Sequence, residues 1–551
     1  MLVRLRPVVQ ATRTADGLHL RGWASSCTLT GGSGLWKVWQ RLAPQLEAGI
    51  PRASLEVPDG TADVVRAAVE LILEQLWEHD MLVEMPSWGA DAPAPEVAAW
   101  LESAAAEPVE AWRRLRAATV VVSGRGVLEV AAVRSAEAVG LVVRRPSAEA
   151  EVVVQRPSAE AEVAVRRPSA GAEPVAPAVQ PPRSAPETTS PCQKDTTALS
   201  RNRDLVVSAD NRDLVLSSGD LLVLAGCGAE VGYVLPPTAE PFTSFNTEVT
   251  TRTAARIGLT GEPSEVLATL IGSAAVHRLV CAVAGLPDPA TDTTYPMALV
   301  ARATPVSATY HPLLLGDPTA DPWQALDALT DTELGPVDTP QFGSLLQVPA
   351  NLAISGDALG IGTTADTARL NAALNALKSD GVIGIDDTHA RGAALRLAAR
   401  HHRGEPADAH EWTSDPTAHR WWKALTARFN VPAVVRTERL AQGVYQAEIS
   451  NGRSVLAWAV EATAADAVAF AALAATGYAQ AGRTGTAHLN GALPHRRTDQ
   501  PDWVTRQWHW PADVRDREDR FQQAIARLPG VRVRPVDLDP ELRAAGLRAY
   551  R

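Results

Sequence analysis

The first stretch of the chain alternates apolar and polar residues with period two. "VRLRPVVQA", "GLHLRGW" and "SSCTLTG" therefore read as three short strands, punctuated by turns at Asp16-Gly17 and Gly31-Gly32. The period then lengthens. Leu35, Trp36, Trp39, Leu42 and Leu46 keep helical spacing, with Ser33 placed to cap the start, and a second helix is expected from about Ala62 to His79. In it Val65, Val69, Ile72 and Leu76 form one apolar stripe, Asp63 sits where the helix dipole favours a carboxylate, and "MLVEM" returns as a strand. Strands, helices and a returning strand over residues 1–84 make a winged-helix unit.

From Ala117 to Val143 the pattern gives strand, a Gly124-x-Gly126 turn, helix and second strand, the beginning of a dinucleotide-binding unit. The third fingerprint glycine is replaced by Glu129, whose carboxylate repels phosphates unless it turns away or meets a metal. The nucleotide loop is thus expected to be degenerate at Gly124 and Gly126. "LLVLAGCGAEVGYVLPP" looks like a second such loop. However, Gly226, Gly228 and Gly232 lead into Tyr233, Val234, Leu235 and two prolines, with no helix to receive a phosphate, so Leu221 to Ala225 should be an inner strand and its glycines a turn. Residues 244–286 read as helices, the second strongly apolar through Leu267, Leu270, Ile271, Ala275, Leu279 and Ala282, with His277 packed within it.

Composition changes between 144 and 200, where Pro146, Pro157 and Pro168 recur at equal intervals in a duplicated Pro, Ala, Ser and Glu text that reads as a disordered linker. A smaller duplication, "NRDLVVSAD" and "NRDLVLSSG", follows it. The expected organisation is α/β and α+β: a winged helix (1–84), a Rossmann-related middle (85–330) interrupted by the linker, and a C-terminal α/β docking domain (331–551).

A formal net charge of -11 disfavours nucleic acid as a partner, and Asp63, Glu70, Glu74 and Glu78 against Arg66 make the second helix a poor duplex reader. Cys27, Cys192, Cys227 and Cys281 contain no C-x-x-C pair, which fits a reducing cytoplasm and gives no zinc site. Residues 2–17 lack the apolar core of a signal peptide, and no membrane span is expected. The histidines His389, His401, His402, His410 and His419 lack helical metal-ligand spacing, so no metal is expected, and no Ser-His-Asp or Cys-His nucleophilic set can be assembled.

Taken in order, "VRLRPVV" with "GLHLRGW", "VVVSGRG", "AAVHRLVCAVAGLPDPA", "YHPLLLGDP" and "RLPGVRVRPVDLDPELRAAGLRAY" resemble the E1-like, or ThiF-like, leader-peptide-binding component of azole-forming cyclodehydratases. The resemblance implies that the winged helix binds a precursor leader as an added strand, at Ser26, Cys27, Thr28 and Leu29 and on a helix face holding Arg66, Glu70, Leu73 and Trp77. Those four are spaced i, i+4, i+7 and i+11 and are expected to share a face turned away from the core. The C-terminal third resembles, distantly, a YcaO domain, but Thr367, Asn375 and Lys378 stand where Mg-ATP needs carboxylates, and the helix from Ala464 to Gly482 has only Asp466.

These readings add up to a scaffold that presents precursor Cys, Ser or Thr residues to a separate YcaO-type subunit. That partner, and not this chain, would use ATP and Mg. The alternatives are an ATP-dependent E1-like adenylating enzyme and a winged-helix regulator.

Overall fold

The computed structural model describes residues 2–23, 25–52, 62–145, 212–239, 244–288, 290, 295–315, 322–489, 495–496, 508–509 and 512–551. From residue 146 onward the duplicated linker text, and the first NRDLV copy, lie outside the described residues.

The N-terminal unit runs β1 (Leu2–Leu5), β2 (Gln10–Arg13), β3 (Gly17–Arg21), β4 (Ser26–Thr30), α1 (Ser33–Ala48), β5 (Ile50–Pro51), α2 (Asp63–Glu78) and β6 (Leu82–Glu84). The first expected strand is split in two. Pro7 has no N–H to give a ladder, and Val9 N donates instead to Arg6 O at 3.0 Å, closing a turn. The halves join different sheets, ordered β5-β1-β6 and β2-β3-β4. Ser33 is the first helical residue and not the cap, which is Gly32 at φ 81° with no side-chain bond. The backbone N–H groups of Gly31 and Gly32 both donate to Asp16 O, so the main chain itself makes this corner. One core gathers Val3, Leu18, Leu20, Leu29, Leu35, Trp39, Ile72, Leu73 and Leu76. Of the expected α2 stripe, Ile72 and Leu76 enter it, Val69 packs at its margin, and Val65 is exposed.

The middle unit continues with α3 (Pro95–Ala104), α4 (Pro108–Ala117), β7 (Thr119–Gly124), α5 (Gly126–Ala138), β8 (Val142–Arg144), β9 (Asp213–Ser218), β10 (Leu221–Cys227), β11 (Val231–Val234), α6 (Ser244–Arg256), α7 (Glu265–Ala284), β12 (Met297–Arg302) and β13 (Ser307–Pro312). Its strands form one seven-stranded sheet, β13-β12-β11-β10-β9-β7-β8. Only β7 and β8 are parallel, joined through α5; every other neighbour is antiparallel.

Both faces of this sheet are covered, which explains the unbroken apolar text of β10. Val223, Ala225 and Cys227 face the core under α5 and α7, whereas Leu222 and Leu224 face Val249, Ala254 and Ile257 on the other side. Of the three glycines expected to form the turn only Gly228 does so, its N donating to Val231 O at 2.8 Å, while Gly226 lies within β10 and Gly232 within β11, where their ladder continues. α7 is the one helix among the described residues long and apolar enough to cross a membrane. Its Leu267, Ile271, Ala275 and Leu279 are buried in the core under the sheet, and a Cβ on its Gly272 would come within 3.0 Å of Ala132 N in α5.

In the C-terminal third, the hairpin Asn351–Ser355 and Ala358–Gly362 carries the helix Ala365–Ala376, and a five-stranded sheet built on Val434–Ala441, Val444–Ser450 and Val455–Glu461 is covered by the buried helix Ala464–Gln480. A shared core joins Leu326 and Leu329 to Leu370, Ile383, Leu542 and Leu547.

The N-terminal and middle units are locked together by arginine. The Arg6 guanidinium donates to the carbonyls of Glu102 and Ala105 at 2.8 and 2.7 Å, and Arg4 pairs with the Glu102 carboxylate.

Candidate functional site

β4 lies at the edge of its sheet, and among the described residues no strand pairs with its far side. The register fixes which groups that side offers. Gly22 N donates to Ser25 O at 2.8 Å and Gly31 N to Asp16 O at 2.9 Å, with Ser26 opposite Arg21, Thr28 opposite His19 and Thr30 opposite Gly17. Hydrogen-bonded and non-bonded pairs alternate along an antiparallel ladder. Cys27 and Leu29 therefore spend their backbone groups on β3, while Ser26, Thr28 and Thr30 turn N–H and C=O outward. Their side chains lie on the solvent face, where His19 Nδ1 and Thr28 Oγ1 are 2.9 Å apart.

The eight residues singled out from the sequence separate into groups. Ser26 and Thr28 stand on the rim, joined by Thr30, which the sequence reading missed although its parity follows from the Gly31-Gly32 turn. Leu29 is buried in the core, and Cys27 is half-buried at its margin. Burial pushes the Cys27 thiol pKa up, and the nearby Glu78 carboxylate adds to it.

On α2 the expectation of a common outward face fails at Leu73, which is only 9% exposed and belongs to the core. At 100° per residue, Arg66, Glu70 and Trp77 lie beyond Leu73 on one flank of the helix, and Leu71, Gln75 and Glu78 lie on the other. The contacts tell the flanks apart. Trp77 carries the Arg52 guanidinium over its ring at 5.3 Å, and Arg52 reaches Glu84 in β6. The opposite flank meets β4: Glu78 acts on Cys27, and Ser25 Oγ donates to His79 O at 2.7 Å. Of the α2 side chains, Glu78 thus lies near β4, while Trp77 lies against Arg52.

The glycine loop is a different kind of site. Gly124 ends β7 and Gly126, at φ 71°, opens α5. Glu129 sits in the first turn of that helix and pairs with Arg145 at 3.1 Å, so its charge is met by a guanidinium of the same chain. A Cβ on Gly124 would lie 3.2 Å from the Asp213 carbonyl oxygen and 3.6 Å from the Glu129 Cβ. A carboxylate in the first turn of a helix, already paired with an arginine, is poor company for a triphosphate.

Elsewhere polar groups are consumed internally. His277 packs 5.9 Å from the Trp100 ring, and burial pushes its pKa down. Its neighbour Cys281, 3.6 Å away, is pushed up to about 12 by burial, so the pair offers no thiolate. In the C-terminal third Thr367 closes a capping box with Thr364, and the Asn371 and Asn375 amides donate to Ile361 O and Leu359 O. Arg396 is buried between Glu461 and Glu518, bonded twice to each at 2.7–2.9 Å. Burial alone would lower the guanidinium pKa, and the two carboxylates outweigh it. His389 is buried beside this group, and His402 meets the Pro529 carbonyl at 2.8 Å. Among the described residues no three His, Cys, Asp or Glu side chains gather as a metal site.

No protein-family model matches this chain, and no curated protein matches it in sequence. Solved structures do resemble it in fold. A heterocyclase in complex with substrate and cofactor is 11% identical, with a TM-score of 0.48 over 100% of this chain and 94% of that one. The heterocyclase TruD is 12% identical, with a TM-score of 0.44 over 100% and 93%. E. coli MccB with AMPCPP and MccA is 10% identical, with a TM-score of 0.34 over 57% of this chain and 97% of that one.

Proposed function

We propose that this chain is a peptide-capturing scaffold of a heterocyclase system. It takes up the leader of a ribosomally made precursor as an extra strand on β4 and presents the precursor's Cys, Ser or Thr residues to a separate ATP-using YcaO-type subunit. The observation that carries this reading is the outward set of N–H and C=O groups on Ser26, Thr28 and Thr30. An unpaired row of this kind is a ready template for an extended chain, whose main-chain bonds supply affinity while flanking side chains supply selectivity. The Glu129–Arg145 pair in the first turn after the Gly124–Gly126 loop supports assigning ATP chemistry to the partner. Tethering one end of a substrate makes later encounters with its other residues intramolecular, at effective concentrations of about millimolar for a short flexible link.

Amide hydrogen exchange of the full chain, with and without a synthetic leader segment, tests the reading. Protection should appear at Ser26, Thr28 and Thr30, and calorimetry with Mg-ATP should give no heat of binding. Binding of Mg-ATP together with unchanged exchange on β4 would replace the scaffold with the adenylating alternative.

A further inference from the structure

The rim of β4 does not end in open solvent. Where the strand begins, a cleft of about 390 Å³ opens between the N-terminal unit and the end of α7, with Ser25 in its wall. Trp23, 44% exposed, presents indole surface there, and Ala104, Leu286 and Pro287 give it apolar walls. Glu78 and Asp80 add carboxylates. Asp80 is paired with Arg6 at 2.8 Å. Glu78 accepts a neutral bond from the Gln75 amide at 2.6 Å, and among the described residues no cation pairs with it. Two helices, α2 and α7, also end at this cleft, through His79 and Gly285. Helix C-termini carry partial negative charge that favours a cation within the last turn. These ends are already met, α7 by Arg114, whose Nη1 lies 3.5 Å from Ala284 O, and α2 by Ser25 Oγ, which donates to His79 O at 2.7 Å, and Arg6 is held by Asp80, so Glu78 is the carboxylate of the cleft left without a cation among the described residues.

Resting on the capture reading above, we propose that this cleft is an arginine pocket for the captured peptide, and that the peptide runs antiparallel to β4. Antiparallel pairing continues the β2-β3-β4 meander and is the more stable ladder. In that direction the guest leaves the rim past Ser26, so the part that reaches the cleft is C-terminal to the paired segment. An arginine there stacks its planar head on Trp23, sets its charge against Glu78, and lays its stem along the alanine, leucine and proline wall. A lysine matches the charge but not the planar stack. A glutamate at this position faces the Glu78 carboxylate.

The experiment is selection of a displayed library of random 15-residue peptides against the full chain and against its Thr28→Pro, Glu78→Gln and Trp23→Ala variants. Against the native chain, enriched peptides should carry a β-branched or aromatic stretch followed by arginine. Glu78→Gln and Trp23→Ala should keep the stretch and lose the arginine, and a selected peptide should bind each variant about fivefold more weakly by fluorescence anisotropy, the Glu78 effect shrinking in salt. Enriched stretches that depend on Thr28 but show no basic preference, or an acidic one, overturn the pocket and leave the capture reading intact. Enrichment preceding the stretch overturns the antiparallel direction. Enrichment indifferent to Thr28→Pro, or none at all, overturns capture on β4 itself.

Discussion

The rim of β4 and the N-terminus of α5 both carry backbone donors in positions where proteins bind ligands, yet the chain treats them oppositely. At α5 the first turn carries a charge pair of the chain's own, Glu129 with Arg145. At β4 the donors of Ser26, Thr28 and Thr30 are left without a strand partner among the described residues. The contrast teaches that a glycine motif is weak evidence for a site until the groups that would compete for it are placed, whereas an unpaired strand edge leaves its backbone groups available to an extended chain.

The C-terminal third carries internal satisfaction furthest, and it should respond most strongly to being broken. Arg396→Met leaves Glu461 and Glu518 buried without their cation, and urea unfolding should show a loss of about 3–5 kcal/mol. Adding Glu461→Gln and Glu518→Gln to that variant should recover part of it, which would locate the loss in the stranded charges.

Along β4 the alternation itself can be tested. Leu29→Ala, at a position facing the core, should cost about 2–5 kcal/mol of stability. Thr28→Pro removes a donor that faces outward, so it should leave the urea midpoint nearly unchanged while weakening leader-peptide binding more than about tenfold. If the two substitutions behaved alike, the assigned parity of the strand would be wrong.

A smaller effect is expected from acid. Burial pushes the His389 pKa down to about 4 from 6.5. Between those values the unfolded chain binds a proton that the folded ring refuses, so stability should fall as pH drops through that window. His389→Gln should flatten that part of the profile in thermal melts at several pH values. Peptide capture on the distant rim should show no matching step.

The smallest effect separates the two flanks of α2. Trp77→Ala removes the stack with Arg52 and should cost about 0.5–1 kcal/mol of stability. Because Trp77 lies on the flank away from β4, leader-peptide affinity should change by less than about twofold, measured by anisotropy.

Much of this was legible in the text of the chain because it depends on local periodicity. The period-two runs gave the strands that meet in the N-terminal unit, and the βαβ turn at Gly124 was visible as strand, glycines and helix. The reading of Leu221 to Ala225 as an inner strand followed from the missing helix after its glycines. What escaped depends on partners far apart in sequence or on rotation about an axis. The split at Pro7 sends two halves of one apolar run into separate sheets, and the antiparallel company of β7 is supplied by β9, reached only after the linker. Arg396 meets Glu461 and Glu518 across 65 and 122 residues, beyond any local pattern. The face of α2 was misjudged because a residue at i+7, Leu73, can belong to the core while its neighbours at i and i+4 from the same set, Arg66 and Glu70, do not.

If β4 captures a peptide as proposed, one contact would set what that guest can do. Arg6 grips carbonyls of Glu102 and Ala105, in and just beyond α3, and so ties the unit that carries the rim to the middle unit. With the anchor held through that contact, the guest's own contour length would become the ruler. Counting residues from the paired segment, and not any motion of the holder, would then decide which side chain arrives at the place of reaction.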